Sequence, residues 1–115
     1  MIDFDKDTAF TQQVLDALTA RSKMVLHNIA NQNTKGFKRY EVRFEDLLAD
    51  ATRKGDELHS VQHTIVRDTS GNAGQNNVVL MEELALLGKT SLLQDAMTRR
   101  IGGYTSKLNK AIFGR

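Results

Sequence analysis

A long helical pattern ends and the chain turns at NIANQNTKGFK, residues 28–38. Asn28 and Asn31 are three positions apart, so on a helix they share one face of the last turn. There, their amides can bind the backbone of the exit loop and the last free carbonyls. Thr34-Lys35-Gly36-Phe37 fits a type II turn, in which Gly36 takes the position that needs a positive φ. The stretch therefore predicts a helix that ends in a fixed turn.

The residues before this turn have the periodicity of an amphipathic helix. Apolar side chains recur at steps of four and seven from Phe10 through Val14, Leu18 and Val25 to Ile29. We expect the helix to cover residues 8–32, with Asp7 or Thr8 as its N-cap.

A second helix is predicted over residues 78–113. Asn76 or Asn77 could cap it, and Glu82 and Glu83 follow in its early turns, where carboxylates complement the helix dipole. Several of its apolar positions are eleven residues apart, which indicates an undistorted helix or a gentle right-handed supercoil rather than a heptad seam. The expected packing positions are Leu86, Leu93, Met97, Ile101, Tyr104, Leu108 and Ile112.

The segment between the helices, residues 33–77, has mixed signals. Alternating apolar residues over 40–44 and 61–65 predict two short strands. Apolar positions over 47–51 predict one or two helical turns, and the Gly- and Asn-rich residues 69–77 predict a flexible loop.

Helix length predicts an elongated molecule. A compact domain of 115 residues would be roughly 35 Å across, whereas a helix over 78–113 would be about 54 Å long. Two amphipathic helices also leave part of each apolar stripe uncovered, so we expect other chains to cover it. The predicted fold is mainly α, one elongated unit with two long terminal helices and an irregular middle.

Composition and charge exclude several classes of protein. The sequence has no Cys, so disulfides and thiolate chemistry are impossible. Its longest aliphatic run, residues 78–81, is too short for a membrane span, and the acidic start lacks the features of a cleaved signal peptide. Acidic residues near the start and basic residues near the end favour two helix ends that lie side by side.

Sequence motifs for catalysis or ligand binding are weak. Gly88-Lys89-Thr90 lacks the earlier Gly and the strand of a phosphate-binding loop. His59 and His63 lie in a segment that reads as strand, which disfavours a metal site. No Ser-His-Asp pattern occurs, and no aromatic residues interleave with the basic ones to stack nucleic-acid bases. We therefore expect no catalytic, cofactor or metal site, no enzyme activity and no nucleic-acid partner.

The turn region resembles the N-terminal signature of the flagellar rod and hook axial proteins, Asn-x-Ala-Asn-x-x-Thr-x-Gly-Phe/Tyr. The family usually has Pro where this chain has Lys35, and the short length resembles the proximal-rod members. The matching positions are Asn28, Ala30, Asn31, Thr34, Gly36 and Phe37, with Lys38 following as is common.

This resemblance implies a structural role in the bacterial flagellum. Family members leave the cell through the type III export apparatus without a cleaved signal peptide, and Phe10-x-x-x-Val14 resembles their export-gate motif; the same residues also fit an ordinary amphipathic stripe. The terminal helices are expected to pack as an antiparallel coiled-coil hairpin. The expected subunit lines the export channel of the periplasmic rod, the torque-transmitting drive shaft of the basal body.

The resemblance also names the expected partners. These are other rod proteins, the membrane ring with its rod adaptor, the export apparatus, and further copies in a helical assembly. Three alternatives stay open: a non-flagellar helical adaptor, a weak nucleic-acid-binding protein, and the other short proximal-rod protein, which shares the N-terminal signature.

Overall fold

A computed structural model describes residues 4–114, without the side chains of Phe4, Tyr104 and Leu108. The described chain is mainly helical, with one small antiparallel sheet of two strands. The elements in chain order are α1 (Phe4–Ala30), β1 (Tyr40–Arg43), α2 (Glu45–Lys54), a 3₁₀-helix (Leu58–Ser60), β2 (Thr64–Arg67) and α3 (Leu80–Phe113).

Helix α1 begins before the predicted cap. Because it already includes Phe4, the prediction that Asp7 or Thr8 caps it is wrong. Asp5 and Asp7 instead lie in its first turn, where their charges complement the helix dipole. The helix ends at Ala30, two residues before the predicted end, because the turn already begins at Asn31.

The middle segment contains the predicted elements with shifted bounds. Strand β1 pairs with β2, placing Tyr40 opposite Arg67 and Arg43 opposite Thr64. The second strand begins three residues later than predicted, after the 3₁₀-helix over 58–60. The predicted helical turns are confirmed as α2, which is followed by Gly55 in the left-handed conformation with φ 77°.

Helix α3 makes the molecule long. Its 34 residues span about 51 Å, and the whole molecule measures 61 × 32 × 14 Å. The radius of gyration, 17.7 Å, exceeds the ~13 Å of a compact domain of this length. None of the described helices is long and apolar enough to cross a membrane.

The two long helices touch at both ends of α1. Near its C-terminal end, the Asn28 amide lies 3.3 Å from Glu83 of α3. Near its N-terminal end, the Asp7 carboxylate lies 2.7 Å from the Arg100 guanidinium. The latter contact brings an acidic residue of the chain's start beside a basic residue near its end. Asp3 and Arg115, which belong to the same charge pattern, lie outside the described residues.

Buried positions on the two long helices include steps of both seven and eleven residues. On α1 they are Thr11, Ala17, Leu18, Arg21, Val25 and Asn28, and on α3 they are Glu83 and Thr90. On α3, Leu86 and Met97, which are eleven residues apart, are both half-buried. Both spacings occur among the packed positions, so the spacing of eleven stays a prediction.

The predicted packing positions differ in burial. Leu18 and Val25 are buried, whereas Ile112 is 70% exposed and does not pack against α1, so its role as a packing residue stays a prediction. Ile112 is exposed because α3 extends past α1. Arg100 pairs with Asp7, and Ile112 lies about 18 Å farther along α3, beyond the first described residues of α1. Half-buried positions are Ile29, Leu86, Leu93, Met97 and Ile101. The side chains of Tyr104 and Leu108 lie outside the described part.

Candidate functional site: a polar junction at the helix ends

Six polar residues join the end of α1, the sheet and the start of α3. We call this group the polar junction; its members are Asn28, Arg39, Asp68, Asn76, Asn77 and Glu83. They come from five separate parts of the sequence, and hydrogen bonds connect them to one another or to the backbone between them.

Asn28 is fully buried and bonds to two other elements. Its amide nitrogen donates to the Tyr40 carbonyl at 2.8 Å and to the Glu83 carboxylate at 3.3 Å. Its amide oxygen accepts the Tyr40 N–H at 2.8 Å. Asn28 therefore fixes the first residue of β1 against the last turns of α1, rather than binding the exit loop as predicted.

Glu83 and Arg39 form the ion pair of the junction. The Glu83 side chain is 2% exposed, and its carboxylate lies 2.6 Å from Arg39 Nε. Arg39 Nη1 also lies 3.3 Å from Asp68. Burial by itself would lower the pKa of Arg39, but the hydrogen bonds and charges of Glu83 and Asp68 outweigh it and raise that pKa. The guanidinium thus stays charged and ties α3 to the end of β2.

Asp68 is held as a carboxylate. Hydrogen bonds from Ser70 and, after them, the Arg39 guanidinium lower the pKa of Asp68. At neutral pH Asp68 therefore stays ionised beside the Arg39 guanidinium, which also contacts the Glu83 side chain.

Asn76 closes the end of α1. Its amide nitrogen lies 2.8 Å from the carbonyl oxygens of Asn31 and Thr34 and 3.2 Å from that of Gln32. Carbonyls at a helix C-terminus lack intrahelical partners, and Asn76 supplies donors from 45 residues away. The expectation that Asn76 or Asn77 caps α3 is therefore wrong, since α3 begins at Leu80 after Val79.

Asn77 connects the same loop to the sheet. Its amide oxygen accepts the Arg39 N–H at 2.7 Å, and its amide nitrogen donates to the Asp68 carbonyl at 2.6 Å. Residues 76 and 77 therefore act as a hydrogen-bonded bridge between the end of α1 and the sheet, a role that was not predicted.

The turn after α1 has the predicted geometry at its glycine. Gly36 has φ 75°, and the Phe37 N–H donates to the Thr34 carbonyl at 3.2 Å. Asn31 donates to the His27 carbonyl at 2.9 Å, as predicted for a last-turn amide. The Thr34 hydroxyl donates to Asn31 Oδ1 at 3.1 Å, so the two signature residues also hold each other.

Aromatic residues flank the turn. The Phe37 ring centroid lies 5.7 Å from that of His27 and 6.2 Å from that of Tyr40. The Arg67 guanidinium lies 3.9 Å from the Tyr40 ring centroid, within cation–π range. Phe37 thus packs the turn against α1 and the sheet.

The remaining signature residues differ in their contacts. Lys38 donates to the carbonyls of Asn72 at 2.7 Å and Ser70 at 3.2 Å, and so holds the loop before α3. Ala30 is exposed at the end of α1. Phe10 and Val14 are half-buried on α1, separate from the polar junction.

A second polar contact, which sequence analysis missed, attaches α2 to the middle of α1. Buried Arg21 donates to both carboxylate oxygens of Glu45, at 2.7 and 2.6 Å, and to the Val42 carbonyl at 3.1 Å. The hydrogen bonds from Arg21 lower the pKa of Glu45 despite its partial burial. Only the polarity of position 21 within an apolar stripe could have indicated this contact.

The chemistry of the junction is that of a structural connection. Its amides and charges are used in bonds to one another and to the backbone, which fixes helix ends. In the part of the chain that the structure describes, no three His, Asp or Glu side chains are grouped so that they could hold a metal ion.

Comparison with known proteins gives one informative similarity. Over 57 residues the chain is 37% identical to the flagellar basal body rod protein FlgB of Borreliella burgdorferi. The matched region covers 50% of this chain and 42% of that protein, so the match spans less than half of the relative's length. No protein-family model matches the chain. The chain is thus similar over half its length to a flagellar rod protein.

Proposed function

We propose that this chain is a structural subunit of the proximal rod of the bacterial flagellar basal body, where it transmits torque and lines the export channel. The similarity to FlgB over half the chain supports this role. The signature residues support it further, because Asn28, Asn31, Thr34 and Gly36 each take part in the turn or the junction.

The observation that carries the proposal is the way the signature turn is closed. The Asn76 amide nitrogen lies within 3.2 Å of three carbonyl oxygens at the end of α1, and Glu83 of α3 binds both Asn28 and Arg39. A shaft that transmits torque needs helix ends that do not swivel, and hydrogen bonds in several directions prevent such motion.

Helices α1 and α3 are proposed to form an antiparallel coiled-coil hairpin. The contacts of Asn28 with Glu83 and of Asp7 with Arg100 support an antiparallel arrangement. Steps of seven among the buried positions, from Thr11 to Leu18 and from Glu83 to Thr90, support coiled-coil packing.

The same role implies the partners and the route of the chain. The partners would be other rod proteins, the membrane ring and its rod adaptor, the export apparatus, and further copies in a helical assembly. Exposed apolar residues such as Met81 and Leu92 support packing against other chains.

Phe10 and Val14 would serve as the export-gate motif while the chain is unfolded, and no signal peptide would be removed.

Deletion of the gene in its flagellated host tests the proposal. Negative-stain images of basal bodies should show membrane rings without an axial rod, and the cells should not swim. Expression of the wild-type chain should restore both. Intact rods in the deletion strain would contradict the proposal and favour a non-flagellar helical adaptor.

A further inference from the structure

Aromatic rings rather than a carboxylate hold the Arg67 side chain. Its guanidinium carbon lies 3.9 Å from the Tyr40 ring centroid and 5.3 Å from that of Phe37, and the guanidinium donates a hydrogen bond to the Tyr40 hydroxyl. Arg67 is exposed and forms no ion pair among the residues that the structure describes. The arginines that do pair with carboxylates are Arg21, Arg39, Arg43, Arg53 and Arg100.

The rings fix the direction in which the Arg67 guanidinium points. The His27 ring centroid lies 5.7 Å from that of Phe37 and 5.5 Å from that of Tyr40, so the rings support one another. A guanidinium has five N–H donors in a planar fork, and stacking on a ring uses its face rather than its edge. The Tyr40 hydroxyl is the one acceptor that the fork reaches within the described chain, which leaves most of its donors to the solvent.

Positive charge surrounds this guanidinium. Lys23 and Lys35 are exposed and form no ion pair with a described residue. Lys23 lies four residues before His27, on the same face of α1. Asp68 follows Arg67 directly, but neighbouring strand positions point to opposite faces, and Asp68 binds Arg39. The sequence has no acidic residue over 17–40, a stretch that contains Arg21, Lys23, Lys35, Lys38 and Arg39.

We propose that this surface binds an acidic segment of a partner protein, with an Asp or Glu carboxylate against the edge of the Arg67 guanidinium. We call the surface the arginine patch; its members are Lys23, His27, Phe37, Tyr40 and Arg67. A carboxylate matches the guanidinium fork with two parallel hydrogen bonds, and a side chain that is already oriented loses less entropy when it binds. Nucleic acid fits the patch less well, because Arg67 already lies over the Tyr40 ring, where a base would stack.

A titration of the full-length purified chain with a short glutamate peptide tests the proposal. Two-dimensional NMR of the labelled chain should show saturable shifts at the arginine patch, with a dissociation constant of about 1 mM, the range of a few exposed charged contacts. A glutamine peptide of the same length should cause no such shifts. Shifts that are absent, or that are larger at the basic residues over 99–110 than at the patch, would overturn the proposal.

Substitution of Arg67 separates the patch from general attraction between charges. Arg67→Gln should weaken binding of the glutamate peptide about tenfold or more. Arg67→Lys should weaken it less, because Lys keeps the charge but lacks the fork. Arg53→Gln is the matched control, since it removes the same charge from an arginine that is 73% exposed on α2, and it should change binding less than about twofold. Equal losses in Arg67→Gln and Arg53→Gln would contradict a site at Arg67.

Two phosphate ligands test the class of partner. A single-stranded oligothymidylate and vesicles of phosphatidylserine should bind the patch more weakly than the glutamate peptide does. Tighter binding of either ligand, with the same loss in Arg67→Gln, would overturn the assignment to an acidic protein segment. These measurements need no flagellated cell, so their failure leaves the rod function standing, and loss of the rod function leaves the arginine patch untouched.

Discussion

At Gly36 the backbone conformation, rather than the available space, limits which residues the chain accepts. A Cβ atom there would come no closer than 3.7 Å to its nearest neighbour, the Gly74 carbonyl oxygen, which is ordinary contact. The φ of 75°, however, lies in the left-handed region that β-branched residues avoid.

Gly36→Val should therefore destabilise the chain by about 1–3 kcal/mol through backbone strain. Urea unfolding followed by circular dichroism measures the change. Gly102→Ala is the matched control, because Gly102 lies within α3 with open space around it, so a Cβ should stabilise the helix slightly. Lys35→Pro should also be tolerated, since Pro suits this turn position. Wild-type stability in Gly36→Val would show that the turn does not need its glycine.

Asn28→Asp tests the buried amide. The change removes the donor that binds Tyr40 and Glu83, and it places a second carboxylate against the buried Glu83. We expect a loss of about 3 kcal/mol or more in the free energy of unfolding at pH 7. The comparison is Asn33→Asp, an exposed change within the same stretch, which should be nearly neutral. A small, equal effect of both changes would contradict the role given to Asn28.

At the scale of elements, the start of α3 depends on Arg39 for the pairing of its buried charge. Glu83 binds only Arg39 and Asn28 among the described residues, whereas Arg39 also has Asp68 and Glu41 as ionic partners. Removal of Arg39 therefore leaves the buried Glu83 side chain without an ionic partner, whereas removal of Glu83 leaves Arg39 with two other partners.

Arg39→Met should cost about 3–5 kcal/mol in stability, and Glu83→Leu should cost less. The double variant Arg39→Met/Glu83→Leu should recover much of the loss, because no buried charge then lacks its partner. Chemical unfolding of the four proteins gives the coupling energy. Additive losses in the double variant would show that the two side chains do not act as a pair.

The pH dependence of stability follows from Glu45 and Asp68. Their pKa values lie below the ordinary 4.5 and 3.8, so the folded state holds these protons less tightly than the unfolded state. Their contributions are present at neutral pH and are lost as the pH falls below 4.5 and through the lowered values. The free energy of unfolding, measured with urea, should decrease from pH 7 to pH 3. Glu45→Gln should make this decrease smaller by only about 0.5 kcal/mol, because the Glu45 side chain is largely exposed. An unchanged decrease in Glu45→Gln would exclude its contribution.

Local sequence patterns predicted the helices and strands, but they could not predict polar contacts between residues that are far apart in the sequence. The glycine turn, β1 and α2 follow from Gly36, from alternation at 40–44 and from apolar positions at 47–51. The junction does not follow, because Asn76 and Glu83 lie about 44 residues from their partners and carry no periodicity. The two buried positions of α3, Glu83 and Thr90, are polar, so a pattern of apolar residues could not indicate them.

At the scale of the molecule, length and fixed helix ends fit a subunit that carries load within an assembly. The chain is 61 Å long and only 14 Å thick, and apolar residues are exposed along α3. Such a shape buries little of its own apolar surface, so neighbouring chains would supply the missing contacts.

A density map of intact basal bodies from the host of this chain would show whether the chain is a rod subunit. We expect α1, α3 and the sheet to fit axial density of the proximal rod, with Asn76 against the end of α1 and Glu83 against Arg39. Axial density that other proteins explain fully, with no place for this two-helix subunit, would refute the proposed role.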